Sequence, residues 1–182
     1  MLTKTLINML FVYDFDGTLY RTGEMWKCWL GLLQARGYPK ERAEEKGPLV
    51  FWEGFTPARH VREIDPECGD ACVQDLDTSY RDYIQSQKER SLFPDVIDHL
   101  KKIPKEQQII MTHGDPKFQQ YKVNASGAGK YVRAIQVSRP DNRKVEQLAA
   151  LAKSSKEEVI YIENNPRELS EVLEAKLSIA LI

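Results

Sequence analysis

Apolar residues recur along this chain in five short, nearly continuous runs: Leu6–Tyr13, Gln108–Met111, Ala134–Val137, Val159–Ile162 and Leu177–Ile182. Runs this short and unbroken predict strands buried on both faces, the pattern of a parallel sheet. From the second run onward, stretches of helical periodicity separate them. Pro94 opens a helix with Val96, Ile97, Leu100 and Ile103 on one face, and Pro104 closes it. Asp115-Pro116 opens another through about Val123. Asp141 N-caps a third that carries Val145, Leu148, Ala149 and Ala152. Asn165-Pro166-Arg167-Glu168 supplies an N-cap, a proline at N1 and a glutamate at N3. Strands alternating with helices imply an α/β fold with one parallel sheet between two helical layers.

Between the first and second strands lie roughly ninety residues, far more than a crossover helix needs. Met25, Trp26, Trp29, Leu30 and Leu33 share one helical face there, and Cys72, Val73, Leu76, Tyr80, Tyr83 and Ile84 share another. A stretch with Gly47-Pro48, Gly54 and Pro57 separates them and reads as less regular. The expected organisation is a core of residues 1–19 and 91–182 and a helical cap of residues 20–90. Such a cap would cover the C-terminal edge of the sheet, where open α/β sheets place their sites. The tryptophan face at Trp26 and Trp29 reads as cap core.

Composition narrows the function class. Net charge is −1 over 182 residues, so no global basic field argues for nucleic acid or an anionic membrane. The first apolar run is too short for a transmembrane helix and lacks a signal-peptide cleavage pattern, so a cytoplasmic location is expected. Cys28, Cys68 and Cys72 form an odd, sparse set, suited to a reducing compartment, and His60, His99 and His113 show no zinc-like spacing. Gly127-Ala128-Gly129-Lys130 imitates a phosphate loop only superficially. Asn124 stands where the first glycine should be and Tyr131 where Ser or Thr should follow the lysine, so a surface loop is expected.

The chemistry concentrates at the end of the first run, in Asp14-Phe15-Asp16-Gly17-Thr18-Leu19. Residues two apart on an extended segment point to the same side, so the two carboxylates share one small volume. Burial raises the cost of their repulsion unless a cation or proton compensates. A nucleophile, a proton carrier and a divalent metal would use such a pair.

This stretch resembles the first motif of the haloacid dehalogenase superfamily, most of whose members are phosphatases. Met111-Thr112-His113-Gly114 is similar to the second motif, Lys144 at a helix start to the third, and Glu163-Asn164-Asn165 occupies the place of the acidic fourth. Phe93-Pro94-Asp95-Val96, returning from the insertion, looks like members with a helical cap. The resemblance implies a Rossmann-like three-layer core with a parallel five-stranded sheet. It also implies a Mg²⁺-dependent phosphatase that hydrolyses a small phosphomonoester through an aspartyl phosphate. Asp14 would be the nucleophile and Asp16 the acid and base. Thr112 and Lys144 complete the catalytic set. Gly17, Thr18, Thr112, His113, Gly114 and Lys144 would bind phosphate, with backbone N–H donors at His113 and Gly114. Asp14, Asp16 (through its backbone carbonyl), Glu163 and Asn164 would hold Mg²⁺, a hard, oxygen-seeking ion.

The fourth motif departs from the family pattern, because Asn164 offers only a neutral carbonyl oxygen. Fewer anionic ligands weaken Mg²⁺ binding. Glu168 has the spacing of a further family position and also of a capping-box partner. Rival readings are a phosphomutase of the same fold, a haloacid dehalogenase proper, and a non-catalytic phospholigand-binding or interaction protein. Dehalogenases lack the second aspartate, which argues against that reading. The expected partner is a small phosphorylated metabolite, with no nucleic acid and no membrane, on a monomer or weak homo-oligomer.

Overall fold

The computed structural model describes residues 8–139 and 141–182. Leu6 and Ile7, the start of the first expected strand, lie outside the described residues. Five parallel strands form one sheet: β1 (Met9–Tyr13), β2 (Gln108–His113), β3 (Ala134–Ser138), β4 (Glu158–Ile162) and β5 (Ile179–Leu181), in the order β3-β2-β1-β4-β5. Alternation along β1 divides the core into two layers. Phe11 and Tyr13 pack with Val96, Ile97 and Leu100, while Leu10 and Val12 pack with Leu148 and Val172 on the opposite face. The chain runs outward through β2 and β3, then crosses back to β4 on the other side of β1. The crevice beside β1 is thus a topological switch point, where such sheets bind ligands.

Helices follow the expected order with instructive differences. α1 (Thr22–Ala35), α2 (Lys40–Glu53), α3 (Pro57–Ile64) and α4 (Asp70–Gln87) make up the insertion. They enclose their own core of Trp29, Leu30, Leu33, Val61, Leu76 and Ile84. The stretch around Gly47-Pro48 is regular helix after all, and Pro48 sits inside α2. Gly47 explains part of this: a Cβ there would lie 3.1 Å from the Trp26 ring, so packing against α1 uses its bare backbone. At the base of the insertion the two connecting segments pair, with Arg21 N–H donating to Ser91 O (2.8 Å) and Phe93 N–H to Leu19 O (3.0 Å).

α5 (Val96–Lys101) is shorter than the Pro94-to-Pro104 reading. The buried Gln108 amide ends it by donating to the carbonyls of Leu100 (2.9 Å) and Ile103 (2.8 Å). α6 (Pro116–Ala125) keeps Asp115 as its N-cap. The following segment, expected as a surface loop, holds Ser126 and Ala128 fully buried. α7 (Lys144–Ser154) is capped at Arg143 rather than Asp141. A tight reciprocal pairing of Arg139 and Asn142 backbones delays the helix. α8 (Pro166–Glu174) starts at Asn165 as read, its side chain accepting from Arg167 N. Among the described residues, no helix is long and apolar enough to cross a membrane.

Candidate active site

A cavity of about 520 Å³ opens at the C-terminal ends of β1, β2 and β4, beneath the insertion. Asp14, Asp16, Thr112, His113, Lys144, Glu163 and Asn164 all line it. Gly17, Thr18 and Gly114 do not.

Asp14 follows β1 and is almost wholly buried, its N–H bonded to Ile162 O at 2.9 Å. Oδ1 accepts from Lys144 Nζ at 2.7 Å, and Oδ2 is buried with no partner among the described residues. Burial raises its pKa to about 7, with Lys144 opposing and the nearby Glu163 carboxylate reinforcing the rise. Lys144, the first residue of α7, also reaches Glu163 Oε2 (2.9 Å) and Glu168 Oε2 (3.4 Å). Glu168 therefore serves the site rather than closing a capping box. Neighbouring cations stay apart from it: Arg143 pairs with Glu171, and Lys130 is exposed.

Asp16 has a partner that the sequence reading missed. Lys122 on α6 places Nζ 2.6 Å from Oδ1 and 2.8 Å from Oδ2. Thr22 Oγ1 (2.7 Å), Gln119 Nε2 (3.0 Å) and Thr112 Oγ1 (3.4 Å) donate to the same carboxylate. Burial would push its pKa up, but Lys122, Thr22 and Gln119 together hold it below the ordinary aspartate range. Gln119 and Lys122 are polar residues three apart on α6, one turn from Asp115. That spacing on a helix facing the sheet's end was the available signal.

Backbone positions hold the loops in place. Gly17 has φ +93°, and a Cβ there would lie 2.8 Å from the Asn164 amide. Thr18 Oγ1 donates to Asn164 Oδ1 (2.9 Å) and accepts from Asn164 N (3.2 Å), so this hydroxyl fastens the fourth-motif loop. The expected Gly114 N–H donor is engaged elsewhere, on Ser138 O at 3.1 Å. His113 bridges to the insertion, its Nε2 3.1 Å from the Trp52 carbonyl.

Both Glu163 oxygens are occupied, Oε2 by Lys144 and Tyr161 and Oε1 by Asn165 N (2.9 Å). Among the described residues no three His, Cys, Asp or Glu side chains are grouped to hold a metal. The donors instead suit an ion bound through few carboxylates. Asp14 Oδ2 is buried and unpaired, and among the described residues the cavity's carboxylates, Asp14, Asp16, Glu163 and Glu168, face two ammonium groups, Lys122 and Lys144. Mg²⁺ ordinarily takes one or two carboxylates and keeps several waters, so the site fits it. The three cysteines are free thiols, and none of them lines the cavity.

A sequence profile of the haloacid dehalogenase-like hydrolases matches residues 9–171. No curated protein sequence matches significantly. Among solved structures, the chain is similar to a haloacid dehalogenase-like hydrolase from Burkholderia xenovorans. Its TM-score is 0.72 at 17% identity, covering 92% of this chain and 77% of that one. It is also similar to a HAD-hydrolase from Bacillus subtilis solved with bound magnesium, with TM-score 0.65 at 16% identity over 93% and 86% of the two chains. L-2-haloacid dehalogenase from Xanthobacter autotrophicus superposes with TM-score 0.60 at 16% identity over 97% and 77%. At these identities the likenesses establish the fold.

Proposed function

The chain belongs to the haloacid dehalogenase-like hydrolases, and from that premise we propose that it is a Mg²⁺-dependent phosphatase acting on a small phosphomonoester. The observation that carries the reading is Asp14 Oδ2, buried and unpaired in the cavity, with a second carboxylate two residues on. Asp14 attacks phosphorus and forms an aspartyl phosphate, which divides one slow hydrolysis into two steps. Lys144 holds Asp14 in place from the opposite oxygen and brings positive charge to the transferring group. Thr112 is fully buried, with its hydroxyl at the Asp16 carboxylate, where it orients the acid–base group. Asp16, ionised before substrate binds, takes up the proton that a phosphomonoester monoanion carries in, gives it to the departing oxygen, then takes one from the water that attacks the intermediate. Lys122 and Thr22 fix the carboxylate in that position.

Asp14, the Asp16 carbonyl and the Asn164 amide oxygen would hold Mg²⁺. When bound, the ion offsets the repulsion between an anionic nucleophile and an anionic phosphate. Lys144, Tyr161 and Asn165 keep Glu163 as a holder of the lysine. The helical insertion acts as a cap over the site.

Incubation with p-nitrophenyl phosphate and a metabolite panel tests this. Phosphate release should require Mg²⁺, stop with EDTA and vanish in Asp14→Asn. No release from any substrate at millimolar Mg²⁺ would overturn the proposal in favour of a binding protein.

A further inference from the structure

The cavity is chemically two-sided. Its charged groups gather at the sheet end. The insertion and α6 give Tyr20, Thr22, Gln119 and Lys122 to that end, and beyond them a wall of Met25, Trp26, Phe51, Phe55, Tyr80 and Phe118, without a formal charge. The wall's rings touch one another: Trp26 and Phe51 centroids are 5.0 Å apart, Phe51 and Phe55 5.7 Å, Phe55 and Phe118 5.7 Å. The one hydroxyl among them, on Tyr80, already donates to the Met25 carbonyl at 3.0 Å.

The wall is also fixed in position. Trp26 lies against Gly47, where any side chain would meet its ring. Gly54 brings the segment before Phe55 so near the second-motif loop that a Cβ would lie 2.6 Å from Asp115 N. A rigid aromatic surface facing carboxylates is built before a ligand arrives, which limits the ordering cost of binding.

We propose that this wall is the leaving-group site and that it selects phosphomonoesters whose alcohol carries an uncharged, flat ring. The proposal rests on the phosphatase reading. The ester P–O bond breaks as Asp14 bonds to phosphorus, and the ring-bearing alcohol leaves with a proton from Asp16. Water then cleaves the aspartyl phosphate, returning its proton to Asp16 and releasing phosphate, with no redox change. A sugar or amino-acid leaving group would lose most of its hydration against rings whose polar atoms are only the Trp26 indole N–H and the Tyr80 hydroxyl, the latter already engaged. A planar apolar group gains stacking and burial.

Benzyl phosphate and n-propyl phosphate have alcohols of comparable acidity and differ in the ring, so their ratio reads recognition rather than leaving-group reactivity. The expected kcat/KM ratio favours benzyl phosphate by about tenfold or more, expressed mainly in KM. Trp26→Leu and Phe55→Leu should each move that ratio toward one. Calorimetry with benzylphosphonate and propylphosphonate repeats the comparison without turnover. Preference for glucose 6-phosphate or O-phosphoserine over benzyl phosphate would overturn the inference, as would a ratio unchanged in both variants. If no ester is hydrolysed, the phosphatase reading fails. The phosphonates then decide ring selection by themselves: preferred benzylphosphonate binding, weakened in both variants, upholds it, and equal binding of the two overturns it.

Discussion

Asp14 places a measurable pH dependence in the stability of the metal-free protein. Its carboxyl, near 3.8 when unfolded, rises to about 7 in the fold because burial penalises the charge more than Lys144 repays it. The folded state therefore holds this proton more tightly than the unfolded chain does. Its contribution is fully present below the unfolded value and is lost as pH rises through about 7. Between pH 6.5 and 8.0 the loss amounts to about 1 kcal/mol, or roughly 2–4 °C in melting temperature for a chain of this size. The difference between the native sequence and Asp14→Asn isolates Asp14 in this window. His60, held neutral by burial with a pKa near 4, works the other way, adding about 0.4 kcal/mol over the window as its unfolded imidazole loses its proton around 6.5, and the lowered Asp16 is constant there. Thermal melts in EDTA across this range should fall with pH for the native sequence and rise slightly for Asp14→Asn. A native profile that is flat or rises, or an equal slope in Asp14→Asn, would refute the reasoning. Mg²⁺ at pH 8.0 should restore the lost stability by binding the ionised form.

Three further outcomes follow from particular contacts. Lys122→Met leaves the Asp16 carboxylate without its cation and should cost about 3 kcal/mol in urea denaturation. Combined with Asp16→Asn, it should give a coupling energy above about 1 kcal/mol, whereas additive effects would show that the pair contributes nothing. Gly54→Ala sets a Cβ against the Asp115 backbone at φ +98°. It should destabilise by about 1–3 kcal/mol, and an unchanged denaturation midpoint would contradict that packing. Asn164→Asp adds an anionic oxygen beside Gly17 and should lower the Mg²⁺ concentration for half-maximal phosphate release by about tenfold. Unchanged Mg²⁺ dependence would remove Asn164 from the ligand set.

Much of the site was readable because motifs sit at strand ends, where periodicity stops. Asp14 after β1, Thr112 near the end of β2 and Glu163 after β4 are placed by parallel register alone, and Lys144 by the start of a crossover helix. Lys122 was not readable in that way. A lysine in mid-helix is ordinarily solvated, and this one is buried only because α6 crosses beneath the insertion against Asp16. The aromatic wall was hidden for a related reason. Phe51 and Phe55 flank a glycine in a stretch whose Gly and Pro content read as irregular, and tertiary contact with Trp26 made its first part helical.

The sequence by itself determined the α/β alternation, the carboxylate pair at the end of β1 and the order of the chemical groups along the chain. These depend on periods of two and 3.6 residues and on short motifs, which act over a few residues. Tertiary structure alone decided which oxygens are free. It engaged the Gly114 N–H and both Glu163 oxygens, clamped Asp16 with Lys122, and left Asp14 Oδ2 unpaired. Hydrogen bonds and ion pairs between distant segments are settled by distance and burial in three dimensions, which no local spacing encodes.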